Sequence, residues 1–144
     1  MDFGSGGLAA LQKLASLPRW PDHVSEADQL DLLREEAAIG DQFMVYAYAY
    51  DNSDLDAVLT FFTDDCVIRN PRGEVRGAKD LRDNYVLLFS YWKFQRHAWS
   101  NVIIRFLDTT PSEAYIGAYH NAILVSDERT LAGTGTDIRH LKKV

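Results

Sequence analysis

Polar and apolar positions along the chain fall into two periods. Leu8, Leu11, Leu14, Ala15 and Leu17 follow helical spacing, and Pro18 with Pro21 ends that short helix. Ser25 followed by Asp28 marks a second helix start, with acidic residues in its first turn. From Glu26 to about Tyr50 the apolar positions Leu30, Leu33, Ala37, Phe43 (or Met44), Ala47 and Tyr50 recur at three- and four-residue steps. This predicts a long amphipathic helix, in which Gly40 would let another element approach closely. Asp51-Asn52-Ser53-Asp54 stops it, and Asp54 caps a short helix with the stripe Leu55, Val58, Leu59 and Phe62.

Beyond Asp64-Asp65 the pattern changes to that of strands. Cys66 to Arg69 reads as one, Asn70-Pro71-Arg72-Gly73 as a turn, and Glu74-Val75-Arg76 as its return. Gly77 leads into a helix over about Ala78 to Tyr91, with Leu81, Tyr85, Leu88 and Phe89 on one side. Three long strands follow, Gln95–Leu107, Glu113–Val125 and Thr130–Leu141, joined by hairpin connections at Asp108-Thr109-Thr110-Pro111 and Ser126-Asp127-Glu128. Helices, a small hairpin, a helix and then an antiparallel meander define an α+β class. The expected architecture is a cone-shaped α+β barrel, its curved antiparallel sheet wrapped around the long helix. A cavity between them would hold a small apolar ligand.

Composition narrows the function classes. A chain of 144 residues, 47% apolar and 25% charged, fits one globular domain. A formal charge of −6 and a pI near 5.1, with no basic run, exclude nucleic acid as the main partner. The single cysteine, Cys66, beside Val67 and Ile68, reads as a buried thiol, and Asp64 and Asp65 disfavour its thiolate. The N-terminal stretch reads as neither signal peptide nor membrane span, so the expected location is the cytoplasm, with no membrane partner. Gly4-Ser5-Gly6-Gly7 reads as a loose start, without the strand–turn–helix context of a phosphate loop. His23, His97, His120 and His140 show no ligand spacing, so neither metal nor cofactor is expected.

The candidate chemistry centres on the strand Arg96-His97-Ala98-Trp99-Ser100-Asn101-Val102-Ile103-Ile104-Arg105. Alternation puts His97, Trp99, Asn101 and Ile103 on one face, and Ala98, Ser100, Val102 and Ile104 on the other. Asp51 falls at the C-terminal end of the long helix, where a carboxylate meets the negative end of the helix dipole and calls for a cationic or hydrogen-bonding partner. His97 can be that partner, its tautomer held by the carboxylate and its other nitrogen used for proton transfer. Two plainer readings stand beside this one: His97 as a core histidine bonded to a carbonyl, and Asp51 as a helix-stop residue in an Asx-turn. Tyr46 and Tyr50 share a helix face, while Tyr48 lies elsewhere. Asp137, in phase with Gly133, Gly135, Arg139 and Leu141, is either pocket lining or the partner of Arg139. The two glycines read as points of sheet bending.

The stretch Tyr46 to Leu59, the run Phe62 to Ile68, the run Val75 to Leu81 and the His-x-x-x-Asn strand from Arg96 to Ile104 resemble the SnoaL-like, nuclear-transport-factor-like superfamily, in the same order over roughly Glu26 to Lys143. The resemblance implies an N-terminal extension over residues 1–24 and a cone domain over residues 25–144. It also implies roles. Asp51 and His97 match the Asp–His dyad of scytalone dehydratase and hexachlorocyclohexane dehydrochlorinase, and Tyr50-Asp51 matches a Tyr-Asp pair of the dehydratase. Asp137 falls about where that dehydratase has a pocket Asn. A pocket Tyr of the dehydratase corresponds to Asn70 here, and its second catalytic His to the vicinity of Ser126, with His120 out of phase. Both departures argue against a scytalone-type substrate. The dehydrochlorinase's basic residue before its Asp has no counterpart in Phe43 to Tyr50. The family closes its sheet with a further strand, and this chain reaches His140-Leu141-Lys142-Lys143-Val144 where the turn into it would fall. That implies a fragment, or a homodimer or higher homo-oligomer covering the edge.

The resulting expectation is a cofactor-independent lyase or isomerase acting on a small apolar, cyclic molecule. His97 would be the general base or acid and Asp51 its orienting counter-charge. Tyr46, Tyr50, Asn101 and Asp137 would make polar contacts, and Tyr85, Phe89, Trp99 and Tyr119 would form the walls. Two other readings carry through. One is a non-catalytic binding or assembly subunit, like the small subunits of ring-hydroxylating dioxygenases. The other is an epoxide hydrolase, whose Asp–Arg–Asp arrangement would need Arg69 or Arg139.

Overall fold

The structure is a computed structural model that describes residues 7–70, 72–108 and 112–143. The Gly4-Ser5-Gly6 stretch, Pro71, Val144 and the Thr109-Thr110-Pro111 part of one expected connection lie outside the described residues. The elements run α1 (Leu8–Ala15), α2 (Glu26–Asp51), α3 (Leu55–Leu59), β1 (Val67–Asn70), β2 (Gly73–Arg76), α4 (Gly77–Ser90), β3 (Phe94–Phe106), β4 (Glu113–Val125) and β5 (Thr130–Lys142). Strands β1 and β2 form an antiparallel hairpin with Ile68 opposite Val75, and the three long strands form a sheet of order β3-β4-β5. The class is α+β, helices with an antiparallel sheet, as the periodicity predicts. The chain divides into two compact units, one comprising Met1–Gln42, Trp99–His120 and Gly135–Val144, the other Phe43–Ala98 and Asn121–Thr134.

In the first unit α1 buries Ala10, Leu11 and Leu14. Its approach to β4 is close because Gly117 has no side chain: a Cβ there would lie 2.6 Å from Leu11 Cδ1 and 2.7 Å from Leu14 Cδ2. Arg105 donates from Nε to the Leu17 carbonyl (2.9 Å) and from Nη2 to that of Ala15 (3.4 Å), satisfying carbonyls that the end of α1 leaves unbonded. The start of α2 is capped by Ser25, whose hydroxyl accepts from the Asp28 amide (3.2 Å) and donates to the Asp28 carboxylate (2.6 Å).

The buried stripe of α2 is out of phase with the predicted one over its first half. Leu32 is fully buried, whereas Leu30 (51% exposed) and Leu33 (41%) face outward, as does Ala37. The helix carries apolar residues on more than one face, so three- and four-residue spacings exist in phases one residue, or about 100°, apart. Packing selects the set that includes Leu32, Phe43, Tyr46 and Ala47. Gly40 marks no close approach: nothing among the described residues lies within 4 Å of where its Cβ would be.

The alternation predicted for β3 breaks at Asn101. Gln95 is buried and His97 and Trp99 half-buried, then the phase switches and Ile104 and Phe106 are buried. Asn101 itself is exposed, with φ of +52° in the left-handed region. A single residue of that conformation inserted in a strand moves every later side chain to the opposite face. Asn tolerates it better than most residues do. Asn101 therefore does not extend the face of His97 and Trp99, which removes the basis for it as a polar pocket contact.

The second unit holds an aromatic core. Tyr46, Val58, Leu81 and Tyr85 are buried, and Tyr50, Phe61, Phe62, Cys66, Ile68, Val75 and Phe89 pack around them. Asp54 caps α3, its Oδ1 accepting from the Ala57 amide at 3.1 Å. Across the β1–β2 turn, Asn70 Oδ1 accepts from the Arg72 amide at 2.8 Å.

Candidate active site

The end of α2 determines where Asp51 points. Ser53 adopts φ of +56°, its amide donates to the Tyr50 carbonyl (3.0 Å), and the Asp54 amide donates to that of Ala49 (2.9 Å). This pair of bonds closes a helix with a left-handed residue just past its end. It therefore meets the backbone's needs without the Asp51 side chain. The carboxylate turns instead to β3. Oδ1 lies 2.7 Å from His97 Nδ1, and Oδ2 accepts from the His97 backbone amide at 3.0 Å. Both side chains are largely shielded, 13% exposed for His97 and 8% for Asp51. Both of these contacts of the Asp51 side chain thus go to His97 rather than to an Asx-turn of its own segment.

An ionised carboxylate only accepts hydrogen bonds, so Nδ1 carries the proton and the imidazole lone pair is placed on Nε2. No basic residue lies in the last turn of α2. Compensation for a carboxylate at the negative helix end comes from β3: the His97 ring and amide, and Arg96, whose Nη1 donates to the Asp51 carbonyl at 3.3 Å.

Aromatic side chains predicted as site residues gather around this pair. Tyr50 stands edge-on to His97 (centroids 5.1 Å apart, 84° between planes), to Phe89 (5.2 Å) and to Tyr85 (5.7 Å). The Tyr46 and Tyr85 hydroxyls share a hydrogen bond of 3.2 Å. Tyr48 is exposed, as its position on the helix predicts. Sequence reasoning missed Gln95. It is buried, and its Nε2 donates to the Tyr50 carbonyl (2.6 Å) and to Ser53 Oγ (3.2 Å). Its spacing of two from His97 was the available signal.

The remaining predicted residues belong to the other compact unit. Tyr119 is half-buried on β4. Trp99 packs beside His120 (centroids 5.0 Å), with the Arg139 guanidinium 5.9 Å from its ring. Of its two predicted readings Asp137 takes the second, pairing with Arg139 at 2.7 Å. Gly135 has a packing reason, since a Cβ there would lie 2.5 Å from His120 Cε1, whereas nothing described lies within 4 Å of that position at Gly133. Neither glycine has a left-handed backbone. Of the arginines considered for an epoxide hydrolase, Arg69 is engaged by Glu74 across the hairpin at 2.7 Å and Arg139 by Asp137.

Burial pushes the Cys66 thiol above its ordinary pKa, with Asp65 and Asp64 adding to the rise, the opposite of what a nucleophilic thiolate needs. Among the described residues no group of three or more His, Cys, Asp or Glu is arranged to hold a metal ion, and no helix is long and apolar enough to cross a membrane.

Residues 31–142 match the SnoaL-like domain, and the chain belongs to that family. Among curated protein sequences none matches it significantly. Solved structures similar to it include a candidate scytalone dehydratase from Novosphingobium aromaticivorans (22% identity, 78% of this chain and 76% of that one, TM-score 0.70). A candidate aromatic ring hydroxylase from the same species is 23% identical over 78% of this chain and 80% of its own, with a TM-score of 0.72. LinA is 18% identical over 81% of each chain, with a TM-score of 0.69. At these identities the likeness shows the fold, that of the nuclear-transport-factor-like superfamily.

Proposed function

We propose that this protein is a cofactor-independent lyase or isomerase that moves a proton on a small apolar, cyclic molecule by dehydration, elimination, isomerisation or cyclisation. His97 Nε2 takes or returns the proton. Asp51 holds the ring in the required tautomer and stabilises the imidazolium as it forms. The observation that carries the reading is the two-point contact between Asp51 and His97, one carboxylate oxygen on Nδ1 and the other on the backbone amide of the same residue. This fixes both the position and the rotation of the ring, which an imidazole needs to act on a carbon-bound proton. Tyr50 and Phe89 are the nearest candidates to meet the substrate, with Tyr46 and Tyr85 behind them. The fold family and its dehydratase and dehydrochlorinase neighbours support the class of chemistry. We further propose that the protein works in the cytoplasm as a homodimer or higher homo-oligomer, its state of assembly read by sedimentation equilibrium.

The test is deuterium incorporation from D2O into a panel of cyclic ketones, hydroxyketones and alkyl halides, followed by NMR. Wild type is expected to exchange or eliminate a carbon-bound proton on at least one member, and His97→Ala and Asp51→Asn to abolish it. Saturable binding without exchange on any member would instead favour a binding subunit.

A further inference from the structure

Gln95 stands out among the buried residues of this protein. It is 2% exposed, the one polar or charged residue among those described that is buried as a whole. A methionine or leucine would fill the same space without taking an amide out of water. The amide is tolerated because both Nε2 protons have acceptors, the Tyr50 carbonyl and Ser53 Oγ. The Tyr50 carbonyl already accepts from the Ser53 amide, so Gln95 adds a second donor to a carbonyl whose place in the helix end is settled. Ser53 occupies a left-handed position that glycine would favour, and there it supplies a hydroxyl that glycine lacks.

The geometry points to Gln95 as the positioning residue of the Asp51–His97 pair: its amide locks the end of α2 to β3 two residues before His97, and so sets the distance between carboxylate and imidazole. Three consecutive β3 residues grip two consecutive helix residues. Gln95 holds the Tyr50 carbonyl, Arg96 the Asp51 carbonyl, and His97 the Asp51 carboxylate. Of the three, only His97 touches the carboxylate; Gln95 and Arg96 both act on backbone carbonyls, and of these two Gln95 is buried and Arg96 exposed. A last helical turn held only by its own bonds frays readily. A carboxylate loosened by about 1 Å holds an imidazole poorly. The consequence for turnover rests on the proton-transfer reading above, whereas the mechanical claim is tested without a substrate.

The experiment uses the full chain labelled with 15N and reads two signals: the His97 Nδ1–H resonance, and the exchange rate of the His97 backbone amide in D2O. In wild type both are expected to be protected, and Asp51→Asn is expected to release both. Gln95→Met keeps the volume and removes the donor. It is expected to broaden away the Nδ1–H resonance and to speed His97 amide exchange at least about tenfold, while amides of α4 are unchanged. A purely structural glutamine would lower the melting temperature and leave both His97 signals intact, which overturns the proposal. If Gln95→Met does not fold, Ser53→Gly decides: it retains the left-handed turn and removes one of the two acceptors. Faster His97 amide exchange supports the proposal and an unchanged rate overturns it. Signals that respond to Asp51→Asn but not to Gln95→Met refute the positioning alone. Signals insensitive to Asp51→Asn refute the dyad and the positioning together.

Discussion

Two histidine–carboxylate pairs of almost equal length sit in contrasting places. His97 Nδ1 lies 2.7 Å from Asp51, and His140 Nε2 lies 2.8 Å from Glu113. The second pair bridges neighbouring strands at the surface, with side chains 38% and 46% exposed, and His140 stacks on Tyr115 with centroids 4.7 Å apart. Distance alone does not separate the two. Burial and the number of anchors do. Asp51 also binds the His97 amide and belongs to a helix end that Gln95 and Arg96 hold. A solvated pair exchanges its partners for water at little cost, whereas a shielded one has no such substitute.

The largest expected effect is on rate. On any substrate that turns over, His97→Ala and Asp51→Asn should each lower kcat by about 10²–10⁴-fold. His140→Ala and Glu113→Gln should leave it within about twofold of wild type. A comparable loss in both pairs would remove the distinction drawn between them.

Stability comes next. Asp51→Ala leaves the His97 ring N–H and backbone amide without their acceptor, a loss of about 2–4 kcal/mol, whereas Glu113→Ala should change stability by no more than ~1 kcal/mol. Urea unfolding of both variants reads the difference, and equal midpoints would show that Asp51 is as dispensable as a surface carboxylate.

The smallest effect concerns how far the surface pair reaches. Tyr115 has its pKa raised, first by burial and second by the charge of Glu113. Because the folded value lies above the unfolded one, this tyrosine's contribution to stability is complete below the ordinary tyrosine range. It is lost as pH rises from about 10 through the folded value. Ultraviolet titration of Glu113→Gln should recover only the minor part of the rise, and full recovery would make the charge dominant over burial.

Much of this was legible in the sequence. Every helix and strand follows from its period and its punctuation, because a three- or four-residue rhythm cannot be satisfied by a strand, nor alternation by a helix. Asp51 and His97 could be paired because one ends a strongly marked helix and the other interrupts an apolar strand. What failed to show has specific causes. Leu30 and Leu32 are chemically identical, so the phase of α2 had no local signature. Asn101 looked in phase because alternation assumes no inserted residue, and the left-handed backbone that breaks it is a property of the folded strand. Gln95 reads as an ordinary strand residue until the carbonyl it serves, contributed by a residue 45 positions earlier, is in place.

By itself, then, the chain's pattern determined the order and type of its elements and singled out Asp51 and His97, whose side chains meet at the end of α2. These depend on side-chain chemistry and near-neighbour spacing. Only the tertiary structure decided which face of α2 is buried, which of the histidine–carboxylate pairs is shielded, and which glutamine holds the helix end to the strand. Each of these turns on contacts between segments far apart in sequence, where a shift of one residue exchanges inside for outside and no local preference opposes it.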